Sequence, residues 1–183
     1  MLNIPTLSTD RVALRAFRES DAPGLAKVHN NAEVMRYLSP TGEAEPSLRK
    51  AWDYMALTTG HWAFKGYGKW ALVDAKTDEV IGRVGYHDFP YEWPGLELGW
   101  TIGREFWGKG YATESARLAL DWGFENIDTN EIISAIHPDN ERSARVAERL
   151  GEKMVRMGTI HDAPCRIFAI TRDEWHAARR ART

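Results

Sequence analysis

Hydrophobic and polar positions alternate along residues 11–17, where Val12, Leu14 and Ala16 share one side of an extended chain, the pattern of a half-buried strand. The period then lengthens. Ser20 and Asp21 offer an N-cap, and Leu25 and Val28 carry a helix toward Asn30 and Asn31. A short helix is expected over 32–38, stopping near Pro40. A longer one follows Pro46, with Leu48, Trp52, Met55 and Ala56 at helical spacing and Gly60 interrupting it. Period two returns in the middle: strands are expected over 69–74 and 80–89, joined by a turn at 75–79. An aromatic and proline-rich loop over 91–95 leads to a strand over 96–103.

A helix over 112–126 places Ala112, Ala116, Ala119, Leu120 and Phe124 on one face, small enough to sit close to a sheet. A strand over 131–137 precedes a helix over 141–150. Asn140 caps the start of that helix, and Gly151 suits the left-handed position after its end. Strands over 153–160 and 165–171 and a helix over 173–181 close the chain. Its basic tail reads as solvated charge at a helix C-terminus. The succession of β, α, α, α, βββ, α, β, α, ββ predicts a mixed α/β sheet with helices packed on it, in one domain spanning 1–183.

Composition narrows the function. With 24 basic and 26 acidic residues the net charge is −2, so no basic field draws in nucleic acid. No apolar run approaches the ~20 residues of a membrane span, and the first ten residues lack the pattern of a signal peptide. The one cysteine, Cys165, excludes an intrachain disulfide and reads as a buried strand thiol in a reducing compartment. Six scattered histidines show no metal-ligand spacing. A cytoplasmic, metal-free domain is expected, with no nucleic-acid or membrane partner. Eight tryptophans, at positions 52, 62, 70, 93, 100, 107, 122 and 175, must serve as core anchors, a ligand cleft or both.

Residues 96–114 carry the chemistry. A strand ends near Gly103, a loop bears Gly108 and Gly110, and a helix opens at about Ala112. Glycines let backbone N–H groups approach an anion, and the helix adds unsatisfied donors and its positive end. Three diphosphate sites compete with a merely tight turn. Gly103 to Lys109 spells GxxxxGK, but Gly110 stands where a P-loop needs Ser or Thr. Gly108-Lys-Gly110 begins a dinucleotide GxGxxG, but Thr113 takes its third glycine position. A coenzyme A site needs only strand, turn and helix.

Three stretches together add to this: Glu97-Leu-Gly-Trp100, Phe106-Trp-Gly-Lys-Gly-Tyr-Ala-Thr-Glu114, and Asn140-Glu-Arg-Ser-Ala-Arg-Val146 followed by Leu150-Gly151. In this order and spacing the chain resembles the GNAT superfamily of N-acetyltransferases. The Trp-Gly-Lys-Gly-Tyr wording resembles its RimJ/RimL-like, ribosomal-protein branch. Glu105 departs from the Arg or Gln usual at the head of the superfamily's loop.

The resemblance implies a mostly antiparallel sheet whose splayed strands form an acyl-CoA cleft, with acetyl-CoA as co-substrate and no metal. It implies that backbone groups of Thr101 and Ile102 bond the pantetheine arm. Amides of Gly108, Lys109, Gly110, Tyr111 and Ala112, with the Thr113 hydroxyl, would hold the diphosphate. Asn140 would contact the pantetheine, Ser143 would protonate the departing thiolate, and Glu97 would be the general base toward an amine acceptor, a peptide N-terminus or a small amine. Lysine-type amines titrate near ~10.4 and α-amines near ~8, so most are protonated at neutral pH and need a base. A strand N–H can stabilise the oxyanion.

Each role has a plainer rival. Glu97 alternates with Leu96 and Leu98 as an exposed strand carboxylate does, Asn140 is a sufficient helix cap, and Ser143 fits any helix first turn. Tyr86, Phe89, Tyr91 and Trp93 line an acceptor pocket or pin a loop, and Asp88 and Glu92 hint at a cationic acceptor. Trp100 and Trp107 are expected at the cofactor cleft and Trp70 and Trp122 in the core. Trp52, Trp62 and Trp93 are expected on the acceptor side, and Trp175 on the last helix. A homodimer through the C-terminal strands is conceivable.

Overall fold

The computed structural model describes residues 2–39, 41–44, 46–89, 93–160 and 162–181. In chain order the elements are β1 (Leu7–Ser8), β2 (Val12–Arg15), α1 (Ala22–His29), α2 (Ala32–Met35), α3 (Leu48–Lys65), β3 (Lys69–Asp74) and β4 (Val80–His87). Then come β5 (Glu97–Ile102), α4 (Tyr111–Asn126), β6 (Glu131–Ile136), α5 (Glu141–Leu150), β7 (Lys153–Ile160), β8 (Ala163–Thr171) and α6 (Arg172–Arg180). One sheet holds the strands in the order β1-β2-β3-β4-β5-β6-β8-β7. Every neighbouring pair is antiparallel except β5 and β6. The expected mixed, mostly antiparallel sheet flanked by helices is the observed one. Among the described residues no helix is long and apolar enough to cross a membrane.

Two local expectations change. The pairing of β1 with β2, Leu7 opposite Leu14, has no counterpart in the sequence pattern. Gly60 does not interrupt α3, which runs on to a left-handed Gly66 at φ +75°. An interior glycine costs only about 1 kcal/mol against alanine, and the buried residues on either side of Gly60, Met55 and Trp62, hold the helix in place. Its buried stripe is Ala51, Met55, Thr58 and Trp62, while Leu48 and Trp52 face solvent. Ala51 and Met55 pack on Ala22, Leu25 and Ala26 of α1. A buried ion pair, Arg15 with Asp21 at 2.7 Å, ties β2 to the turn that starts α1.

The sheet's other face is covered by α4. Trp62 reaches across to this side and meets Trp70 and Trp122 with ring centroids 4.8 and 5.5 Å away. It is 2% exposed, so it anchors the core rather than the acceptor side. Tyr86 is likewise fully buried, and its hydroxyl donates to the Ala119 carbonyl at 2.7 Å. Small residues on α4 make that contact possible: a Cβ at Gly123 would stand 1.9 Å from the Tyr86 hydroxyl.

Strands β5 and β6 pair at one position, Glu97 opposite Ile133, and then part. At the fork the Ser134 hydroxyl donates to the Leu98 carbonyl at 2.8 Å and lies 3.1 Å from Glu152 Oε1. The Ser134 hydroxyl, shared between these two oxygens, favours a charged Glu152, and loss of water favours a neutral one. Burial favours that neutral state, pushing the Glu152 carboxyl up to about 8.

Gly123→Ala is expected to destabilise the fold by about 1–3 kcal/mol through overpacking against Tyr86; an unchanged thermal midpoint would contradict this contact. Glu152 binds its proton more tightly folded than unfolded, so stability from this site falls as pH rises from 4.5 toward about 8. Denaturant titration across that window should show the wild-type midpoint dropping further than that of Glu152→Gln.

Candidate active site

Register places the site residues on the face that α1 and α3 cover. Lys69 lies opposite Gly85, which lies opposite Gly99. One row along, Ala71, Arg83 and Thr101 align, and His87 faces Glu97. Lys69, Arg83, Glu97 and Thr101 on the sheet, and Asn140 and Ser143 on the first turn of α5, line one cleft of about 90 Å³. Tyr37 crosses its mouth, stacking on His137 at 4.7 Å and donating to the Asp139 carbonyl at 3.3 Å.

Glu97 sits where β5 and β6 diverge. The Trp93 indole donates to its Oε2 at 2.7 Å, which leaves Oε1 for other partners. Burial raises the Glu97 carboxyl above the usual range, against the opposing pull of Lys69, Trp93 and Arg83. Asn140 caps α5, accepting from the Ser143 amide at 3.2 Å, so its NH₂ group stays available.

The open edge of β5 follows from strand alternation. Gly103 donates to Ile81 at 2.8 Å, so in the same register Thr101 exchanges bonds with Arg83 on β4. Leu98, Trp100 and Ile102 turn their amides and carbonyls toward β6 and the gap, and the Leu98 amide is spent on Ile133 in the one parallel pair. Two carbonyls there are taken, Leu98 by Ser134 and Ile102 by the Trp107 indole at 2.7 Å. The expectation for Thr101 is therefore corrected: its backbone serves the sheet, while the residue itself lines the cleft. Trp100, one position earlier, supplies the open backbone groups. Counting alternation from a hydrogen-bonded pair would have found it, but no such pair is visible in a sequence.

Beyond β5 the loop is an anion cradle. Gly108 and Gly110 have φ of +76° and +84°, and a Cβ on either would meet nothing within 4 Å, so conformation rather than space requires glycine. Gly110 starts α4 without a side-chain cap, leaving the first-turn amides at Tyr111, Ala112 and Thr113 without intrahelical partners. The loop is braced from outside. Arg11 donates to the Lys109 carbonyl at 2.7 Å, lies 4.5 Å from the centre of the Tyr111 ring, and pairs with Glu114 at 3.2 Å. Lys109 Nζ lies over the Phe106 ring. Glu105 turns away and pairs with Lys27 at 3.1 Å, so recognition here falls to the backbone. Trp107 is flanked by the guanidinium groups of Arg104 and Arg142, at 4.9 and 4.6 Å. These donors fit the diphosphate of an acyl-CoA, and the forked edge of β5 fits its amide-bearing arm.

Residues that the sequence left ambiguous now have places. Phe89 and Trp93 form a ring cluster with His87, with centroids 5.3 and 4.8 Å from that imidazole. Asp88 is held by Lys65 at 3.0 Å and His61 at 3.2 Å. Tyr91 and Glu92 lie outside the described residues. Among the described residues no three His, Cys, Asp or Glu side chains are grouped to hold a metal ion. β5, α4 and β6 form a parallel βαβ unit joined at one pair, but Gly110 stands where a P-loop needs Ser or Thr and Thr113 where a dinucleotide loop needs its third glycine.

Comparison with known proteins agrees with this geometry. Residues 11–153 match the family model of the acetyltransferase (GNAT) domain. The chain is 30% identical over 145 residues to an uncharacterized N-acetyltransferase, p20, of Bacillus licheniformis, covering 79% of this chain and 80% of that protein. An acetyltransferase structure from Agrobacterium tumefaciens superposes with a TM-score of 0.74 at 30% identity, covering 93% of this chain and 96% of the other. The aminoglycoside acetyltransferase AAC(6')-Ib in complex with coenzyme A shares the fold, with a TM-score of 0.75 at 21% identity over 92% and 99% of the two chains. An open strand edge leading into an uncapped helix start, joined to this family match, makes the chain a member of the GNAT acetyltransferase family and an acyl-CoA-dependent N-acetyltransferase.

Proposed function

We propose that the enzyme transfers an acetyl group from acetyl-CoA directly to a primary amine, a protein N-terminal α-amine or a small-molecule amine, while both are bound. The observation that carries this reading is the single cleft with Glu97 on one wall and Ser143 and Asn140 on the other. Bound acetyl-CoA supplies an electrophilic thioester carbonyl. Glu97 Oε1 takes the proton of the incoming amine, because Trp93 engages only the other oxygen. The Trp100 amide faces the gap and serves as a donor to the thioester oxygen as charge develops on it. Ser143 gives a proton to the sulfur as the C–S bond breaks and the C–N bond forms. The Asn140 NH₂ group and the edge of β5 hold the pantetheine, and the amides of residues 108–112, with the Thr113 hydroxyl, hold the diphosphate. The Trp107-Gly-Lys-Gly-Tyr111 run supports kinship with the RimJ/RimL-like branch, and the chain is read as one catalytic domain.

Glu97→Gln is expected to lower kcat/KM by roughly 100- to 10,000-fold at neutral pH. A carboxylate base works only above its pKa, so the wild-type rate falls as pH drops through the raised Glu97 value. The variant loses that limb and recovers in part at high pH, where amines shed their protons unaided. A wild-type profile in the variant would remove Glu97 from the role. Ser143→Ala should lower kcat with coenzyme A affinity unchanged in calorimetry; a large loss of affinity would assign Ser143 to binding instead.

A further inference from the structure

The acceptor wall of the cleft carries more positive charge than its carboxylate neutralises. Lys69 looks across two glycines, Gly85 and Gly99. A side chain at Gly85 is excluded, since its Cβ would stand 2.7 Å from the Lys69 Cα and its φ is +137°. Over Gly99 the lane stays clear: the place a Cβ would take lies 3.4 Å from Lys69 Nζ and 3.5 Å from a Glu97 carboxylate oxygen, Oε1. The two charges thus border one small space without forming an ion pair. Arg83, in the next row, donates to the Tyr54 hydroxyl at 2.5 Å and to His29 at 3.4 Å, with its guanidinium 4.3 Å from the centre of the Tyr54 ring.

Among the described residues no carboxylate pairs with Lys69 or Arg83. The acids nearby are engaged elsewhere, Asp88 by Lys65 and His61, and Glu33 by Arg104. Burial and these cations also keep the neighbouring imidazoles neutral, with His87 lowered to about 4 and His29 to about 3. Two partly desolvated cations facing a single carboxylate, Glu97, are costly unless a ligand brings the missing charge.

We propose that the acceptor is a small amine that carries its own anion, a carboxylate or a phosphate, seated against Lys69 and Arg83 while its nitrogen meets Glu97. The inference rests on Glu97 marking the acceptor side. Because Lys69 and Glu97 border the same space over Gly99, the amine and the anion are separated by only a few bonds, as in an amino acid. A polycationic amine would add like charge between Lys69 and Arg83. The preference therefore runs against the cationic acceptor that Asp88 suggested from sequence.

Thiol release from acetyl-CoA tests this with four probes: free amino acids, their carboxamides, phosphoethanolamine and spermidine. Anionic amines should exceed the carboxamides at least tenfold in kcat/KM, mainly through KM, and the first and third probes separate carboxylate from phosphate. In Lys69→Met and Arg83→Gln, each assayed alone, the ratio of acid to carboxamide should collapse toward one with coenzyme A affinity retained. Equal or faster turnover of carboxamides or spermidine overturns the proposal, as does an unchanged ratio in both variants or a loss of coenzyme A affinity. Silence with every amine would overturn the proposed transfer reaction instead. Calorimetry of the acid and carboxamide pairs on the coenzyme A-bound protein then still decides the charge preference: tighter acid binding supports it, and equal binding refutes it.

Discussion

A sheet that stops pairing partway along two strands must find other partners for the backbone groups it releases. Here that happens one residue pair into β5 and β6, after Glu97 and Ile133. Side chains absorb part of the debt: Ser134 of β6 takes the Leu98 carbonyl, and Trp107 from the following loop takes that of Ile102. The amides that remain lie along the cleft wall. The cleft is arranged around this fork, with Glu97 at its vertex and the first turn of α5 lining it. Burial favours an uncharged Glu152 at this fork, close to the Glu97 carboxylate. A second negative charge there would repel the first, and the Glu97 charge is among the causes that raise Glu152.

How much of this the sequence displayed depends on whether a feature is local. Helix α5 begins and ends as its residues announce, because an Asn cap and a left-handed glycine act within a turn of their own position. The glycines at 108 and 110 were legible for the same reason. Tyr86 and Trp62 were not: each sits in a segment whose neighbours face the acceptor side, and only the packing of α4 against the sheet draws them into the core. The misread backbone of Thr101 is of a third kind. Alternation along β5 was visible, but which edge of the strand faced a neighbour depended on a hydrogen bond formed with β4. Trp93 belonged to a loop, and its bond to Glu97 exists only because the chain doubles back by four residues.

The departure at Glu105 shows how a motif can lose a side chain and keep its geometry. An acid at the head of an anion-binding loop would oppose the ligand if it pointed inward. Lys27, from the helix that also covers the acceptor face, pairs with it on the outside. The loop then presents backbone donors, whose positions are set by φ angles rather than by side-chain identity. Under the proposed reaction the two walls of the cleft divide the labour: fixed dipoles would serve the cofactor, and formal charges the acceptor.

The brace formed by Arg11 and Thr9 has a consequence that reaches the other end of the sequence. Thr9 donates to Glu114 at 2.6 Å, and Arg11 holds the Lys109 carbonyl, so a segment about a hundred residues upstream clasps the loop. The ordering entropy of the loop is settled during folding and does not have to be met again when a ligand arrives. Thermodynamic linkage makes the relation reciprocal: a ligand seated on α4 tightens the N-terminal strands, and fraying of those strands loosens the ligand. With the cofactor held at this loop as proposed, its affinity is partly a property of the first dozen residues.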